Sequence, residues 1–326
     1  MVRKLYIVLI LLFIMAASVQ AQQLPLYSQY VMNGYLLNPS IAGSDGYTSF
    51  NLTAREQWVG FAEAPQTRSF SFQTRLLKKS YVIKQKSVNN RKLKPSSKGR
   101  VGVGGFLYHD KNGAVERIGF QGSYAYHIFF RNDQLSFGLS GGLFQFRIKE
   151  EEITYLDDGD MVIEEGIRKV LYVPDANFGV YYLNYKYFAG FSINNLFQSY
   201  LKFGNQALEE YRQIRHYYFM GGYRFELSRD HEIEISSLIK ATERLTFQAD
   251  LGVKYYYRQD YWAGLAFRTN GTAITLLGVR IKQLHIGYAF DYNLSSIRKY
   301  SWGSHELVLA LKLGDNARRY RWIQRY

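Results

Sequence analysis

Several stretches of the chain carry residue types that could do chemistry, and each needs a particular setting to do it. Gly138-Leu139-Ser140-Gly141-Gly142 has the spacing of a nucleophile elbow, in which a serine sits on a strand-to-helix turn and an acid and a histidine follow. Here it lies within an alternating strand pattern, where small residues relieve crowding, so it reads as wall. His305-Glu306 opens a zinc-protease pattern, but no histidine follows at the required spacing. Asp157-Asp158-Gly159-Asp160, with Glu150, Glu151 and Glu152 nearby, offers the oxygen ligands that calcium takes, without the spacing of a defined calcium loop. It reads as a solvated acidic loop. The six histidines are scattered, and the absence of cysteine excludes disulfides, thiolate metal sites and a lipidated cysteine. No catalytic set, metal or cofactor is expected, and the chain reads as non-enzymatic.

Gln57-Trp58-Val59-Gly60-Phe61 and Ala64-Pro65 place two aromatic residues beside a turn. Two readings are equally open: interfacial girdle residues, or a contact for a partner.

The elements that must position these residues are strands. From Tyr47 onward large apolar residues alternate with small or polar ones. In Leu245–Tyr257, Leu251, Val253 and Tyr255 oppose Asp250, Gly252 and Lys254. A helix needs apolar spacing of three and four, which these runs lack. The alternation predicts fourteen strands, near 46–56, 66–76, 100–109, 116–130, 134–149, 175–183, 185–197, 214–226, 231–241, 245–257, 260–268, 273–282, 284–293 and 304–314. Most exceed the ~5–6 residues usual in soluble sheets and suit the ~9–11 of a tilted membrane strand. Composition agrees, with 29 Tyr, 22 Phe and 28 Gly against 5 Pro. An even count and connections that alternate between short turns and longer loops (150–174, 198–213 and 294–303) predict an all-β, closed antiparallel transmembrane barrel.

Around that barrel, Arg3 and Lys4 before the apolar run Leu5–Ala17, with small residues ending at Ala21, predict a leader over 1–21 cleaved before Gln22. Residues 22–45 are too apolar for a floppy tail and are expected to fold in the lumen or over its periplasmic mouth. The barrel occupies 46–314 and a basic tail 315–326. The run 77–99 has periplasmic parity, with eight Lys or Arg and no Asp or Glu. It reads as a solvated charge run or as a docking arm for an acidic periplasmic partner. The net charge of +14 would suit nucleic acid, but export directs it instead to anionic lipid or an acidic protein. If the lumen were open, inward Asp250, Lys254 and Arg268 would line a solute pore.

The opening residues Leu24-Pro25-Leu26-Tyr27-Ser28-Gln29-Tyr30, then Leu37-Asn38-Pro39-Ser40-Ile41-Ala42-Gly43, resemble the start of PorP/SprF proteins. Arg55-Glu56-Gln57-Trp58-Val59-Gly60-Phe61 through Pro65 resembles that family's Arg-x-Gln-Trp block. Gly102-Val103-Gly104 and Pro174–Tyr182 with Phe188–Ser192 match further blocks in family order. Ser40 and Glu63 stand where Ala and Gly are commoner. The resemblance implies an outer-membrane component of the type IX secretion and gliding-motility system of Gram-negative Bacteroidota. It implies a partner in the C-terminal domain of a secreted surface protein, or in periplasmic ring subunits, with outer-membrane lipid and lipopolysaccharide around the barrel and no nucleic acid. On this reading the partner-binding candidates are Arg55, Gln57, Trp58, Phe61, Pro65, Tyr27, Gln29, Asn38 and Pro39. Outer loops 57–65, 150–174 and 198–213 would hold the cargo, and the N-terminal segment with 77–99 would face the periplasm.

Overall fold

The computed structural model describes residues 25–76, 100–130, 133–148, 170–199 and 213–314. The leader, the basic run 77–99, the acidic residues of 150–165, most of 198–213 and the tail 315–326 lie outside them. Fourteen strands follow one another: β1 (Thr48–Glu56), β2 (Gln66–Leu76), β3 (Val101–Asn112), β4 (Val115–Phe130), β5 (Asp133–Ile148), β6 (Val170–Leu183) and β7 (Tyr187–Asn194) make one half. The other half is β8 (His216–Ser228), β9 (His231–Thr242), β10 (Phe247–Tyr257), β11 (Tyr261–Arg268), β12 (Thr272–Ile281), β13 (Leu284–Asn293) and β14 (Ser304–Leu313). Each pairs antiparallel with its chain neighbours, and β1 closes on β14 in register from Thr48↔Leu313 to Glu56↔His305. Closure removes the free strand edges that would otherwise expose unpaired backbone groups to lipid.

The fourteen expected strands are all present, with two notable differences at their ends. β6 starts at Val170, five residues before the expected 175, because its pairing with β5 continues past Pro174 to Arg147↔Val170. Pro174 lacks an N–H and reads in sequence as a strand stop. β7 ends at Asn194 because Asn195 takes a positive φ of 63°, and Leu196 then donates back to the Ala176 carbonyl.

The two faces of the wall are inverted relative to a soluble protein. On β10, Leu251, Val253, Tyr255 and Tyr257 are exposed on the outer face, while Asp250, Lys254 and Tyr256 are buried inside. β1 repeats this, with Ser49, Asn51, Thr53 and Arg55 buried and Leu52 exposed. An apolar exterior around a polar interior suits a barrel solvated by lipid. At one end, here the turn end, β6–β7, β8–β9, β10–β11 and β12–β13 join through two or three residues. The opposite, loop end carries 57–65 and 294–303 and the connections that follow β5 and β7.

The interior is filled by the chain's own N-terminal segment. Tyr27–Tyr30, Met32, Asn33 and Tyr35–Ser40 are all buried, and so are Ala42 to Ser44. Two short 3-10 turns, Gly34–Leu36 and Pro39–Ile41, fold it compactly. Asn38 caps the second turn with its side chain and Pro39 begins it, a position where the missing N–H costs nothing.

Candidate functional site

The segment enters at the loop end, where it meets a cluster of buried charges. Arg55, one residue from the end of β1, contacts Asp291 of β13 at 2.6 Å and Glu306 of β14 at 3.0 Å. Arg268, the last residue of β11, forks onto Asp250 of β10 and reaches Asp291 at 3.3 Å. Into this cluster the segment inserts its backbone. The Ser28 and Gln29 N–H groups donate to the two Glu306 oxygens at 2.7 and 2.8 Å, and the Ser28 hydroxyl donates to Asp291 at 2.7 Å. Arg55 and Arg268 both donate to Ser28 Oγ. Two guanidiniums and three carboxylates are thus held by one another and by two backbone amides. Charges buried this deeply persist only when so paired, and removing one partner from such a set costs about 3–5 kcal/mol.

From there the segment descends the lumen. Tyr30 donates to Ser236 of β9 at 3.2 Å, Asn33 to Ser71 of β2 at 3.2 Å and Tyr35 to Ser123 of β4 at 2.9 Å. Asn38 reaches across two strands to the carbonyls of Val180 and Phe191, and Ser192 donates to the Leu37 carbonyl at 2.7 Å. At the turn end, Arg75 of β2 donates to the carbonyls of Gly43 and Ser44, and His127 of β4 contacts the Ala42 carbonyl at 3.1 Å. Lys312 of β14 closes the sequence on Asp45 at 3.1 Å.

The wall makes room for this path. At Gly138 of β5 an added Cβ would overlap the Ser40 backbone nitrogen, and at Gly179 of β6 it would overlap Asn38 Oδ1. Gly138 therefore serves close approach of the segment rather than a nucleophile elbow. Ser140, its would-be nucleophile, sits in β5 opposite Ser123 and Asn177, with neither an acid nor a histidine paired to it across the sheet.

The expected site residues fall into two places. Tyr27, Gln29, Asn38 and Pro39 lie on the segment inside the barrel, and Arg55 faces them from β1. Gln57, Trp58, Phe61 and Pro65 belong to the first loop-end connection, where Pro65 is buried, Gln57 and Trp58 are half-buried and Phe61 is exposed. That connection is bonded to the one between β13 and β14: Val59 donates to the Gly303 carbonyl, Trp302 to the Val59 carbonyl and Trp58 N–H to Ser304 Oγ. Gly60 adopts a φ of 106°, a conformation that L side chains rarely take, and a Cβ there would press on the Trp302 ring. Phe61 meets Tyr300 edge to face, with ring centroids 6.3 Å apart. Tyr300 and Trp302 are 70% and 81% exposed, so the pair of loops presents an aromatic ledge. Sequence reading found half of that ledge. Tyr300 and Trp302 carry no motif, though Trp302 within a long loop-end connection was a usable signal.

Asp250, Lys254 and Arg268 point inward as expected, but the lumen they face is occupied rather than open. Among the described residues no cluster of His, Cys, Asp or Glu is arranged to hold a metal.

A closed fourteen-stranded wall, apolar outside and filled by its own N-terminal segment, defines a plugged β-barrel of the outer-membrane class. The chain belongs to the PorP/SprF family, described as type IX secretion system membrane proteins, which matches residues 19–311. Family and fold make it an outer-membrane β-barrel of the type IX system. No curated protein matches the chain. Among solved structures, the Acinetobacter baumannii outer membrane protein Omp33 is similar at 7% identity and a TM-score of 0.45, over 82% of this chain and 100% of that one. CdiB of the same organism is similar at 7% identity and a TM-score of 0.42, over 82% and 60%. A mutant of the Rh. blastica porin is similar at 5% identity and a TM-score of 0.32, over 82% and 99%.

Proposed function

We propose that the protein is a non-enzymatic outer-membrane anchor that binds the C-terminal domain of a secreted, adhesin-like surface protein at its loop end, helping to export it and hold it at the cell surface. The observation that carries this reading is the exposed ledge of Phe61, Tyr300 and Trp302 on two mutually bonded loops. Large aromatic residues on a braced support bring contact area at low entropic cost, as expected of an interface anchor. The loop end then faces outward and the turn end faces the periplasm, the side on which β2 ends and β3 begins. A lumen filled by residues 25–45 supports an anchor over a passive solute pore.

The ledge is tested by the double change Phe61→Ala with Trp302→Ala. Surface retention of the cargo is expected to fall about tenfold, with heat-modifiable migration of the barrel unchanged. Equal retention in a folded barrel would remove the ledge from the interface. Mild-detergent pull-down identifies the partner. A single large surface protein supports the anchor, whereas ring subunits alone would assign the chain to the core machine.

A further inference from the structure

The outer face of the wall carries its positive charge unevenly. Among the described residues only three strand positions that point away from the lumen hold Lys or Arg: Arg68 of β2, Lys111 of β3 and Arg147 of β5. All three lie toward the loop end, and the outward positions of β6 to β14 have none. Two of the three stand beside a carboxylate. Lys111 contacts Glu63 at 2.6 Å, and Arg147 is the register partner of Glu116, which also meets His109 at 2.7 Å. Arg68 differs. It is exposed on the outer face, and no carboxylate among the described residues lies within ion-pair distance of it. Glu56, the outward carboxylate of β1, faces Gln66 in register rather than Arg68.

Arg68 also stands at the head of an apolar furrow. Its register partner on β1 is Ala54, whose partner on β14 is Leu307. A lone methyl group between two long side chains leaves a depression in the wall. The next outward row toward the turn end, Leu309, Leu52, Phe70 and Leu107, continues the furrow with apolar walls. Arg68 is the third residue of β2, so its Cα lies about 7 Å along the strand from the loop-end start. An arginine facing lipid is costly at the bilayer centre and tolerated near an interface, where it reaches the headgroups. A guanidinium there without a protein carboxylate matches a phosphate in charge and in its fork of donors. With the loop end outward, the adjoining leaflet is the outer one, whose lipid is lipid A, the phosphorylated glycolipid that anchors lipopolysaccharide. We infer that Arg68 and the furrow form a lipid A site, with one phosphate on the guanidinium and one acyl chain laid over Ala54 between Leu307 and Phe70. The site shares with the anchoring role only the outward orientation of the loop end, and its test is independent of cargo.

The test titrates the full-length processed protein in detergent micelles with bisphosphorylated lipid A and reads binding by native mass spectrometry. A single strong lipid A adduct per barrel is expected. Its affinity should drop about tenfold in Arg68→Gln, which removes one charge-assisted contact, and about threefold in Ala54→Leu, which fills the furrow. Ala263→Leu, the same change at an exposed outward position of β11, should leave it unaltered. A second measurement needs no variant: dephosphorylated lipid A should bind the native barrel about tenfold more weakly than the phosphorylated form. Affinity unaltered in folded Arg68→Gln, equal losses in Ala54→Leu and Ala263→Leu, or indifference to the phosphates would overturn the assignment. Equally tight, Arg68-dependent binding of phosphatidylglycerol would make the site a general anionic-lipid contact and overturn the choice of lipid A.

Discussion

The two ends of the N-terminal segment are held by opposite means. At the loop end, Ser28 and Gln29 are gripped by charge: two arginines and three carboxylates from β1, β10, β11, β13 and β14 surround two backbone amides. At the turn end, residues 38–45 are held mainly by shape and by hydrogen bonds to backbone groups, with one ion pair from Lys312 to Asp45. Glycines on β5 and β6 admit them, Arg75 donates to the Gly43 and Ser44 carbonyls, and His127 contacts the Ala42 carbonyl. Charge is strong when complete and fragile when one partner goes, whereas steric fit fails in proportion to the volume added. The same peptide is therefore clamped at one end and fitted at the other.

The largest expected effect is at the clamp. Arg55→Met leaves Glu306 with no guanidinium at hydrogen-bond distance and should cost about 3–5 kcal/mol, read as a lowered thermal midpoint for loss of the heat-modifiable form. Planar-bilayer recordings of this variant should show openings absent from the wild type. A silent, stable Arg55→Met barrel would mean that the clamp is no stronger than the fitted end. Next is Gly138→Val, which drives methyl groups into the Ser40 backbone. Overpacking of this kind costs about 1–3 kcal/mol, with the loop-end cluster intact. Should Gly138→Val prove the more damaging, the order of the two ends is reversed. Tyr35→Phe, midway between them, removes one bond to Ser123 and should cost about 1 kcal/mol. It tests whether the middle of the segment couples the ends: added to Arg55→Met, a sum within about 0.5 kcal/mol of the separate effects means that it does not.

Much of the wall was legible in the sequence, because a period of two survives any tertiary context and its face assignments follow from it. Arg55, Asp291 and Glu306 could each be read as inward-facing. Their meeting could not. Ser28 and Glu306 are separated by 278 residues, and only barrel closure brings them together. Likewise, the apolar character of 22–45 marks a segment that must pack, while the glycines that receive it are scattered over several strands and look like ordinary lumen glycines. Tyr300 and Trp302 lay within reach of sequence reading, since a long loop-end connection with two large aromatics is unusual for a solvated loop.

The contact between Ser28 and Glu306 also bears on biogenesis. Ser28 belongs to the first part of the segment and Glu306 to the last strand, the strand whose other edges complete the wall against β1 and β13. Until β14 is in place, β1 lacks one neighbour, Arg55 lacks one of its two carboxylates, and two amides of the segment lack their acceptor, all together. Non-local contacts of this kind come late in folding because they close the longest loops. A chain cut short before residue 304 would thus leave an open seam and an unseated N-terminal segment at once. The final strand doubles as a completeness check, and a barrel that has shut around its segment certifies that β14 and the N-terminal segment are both in place.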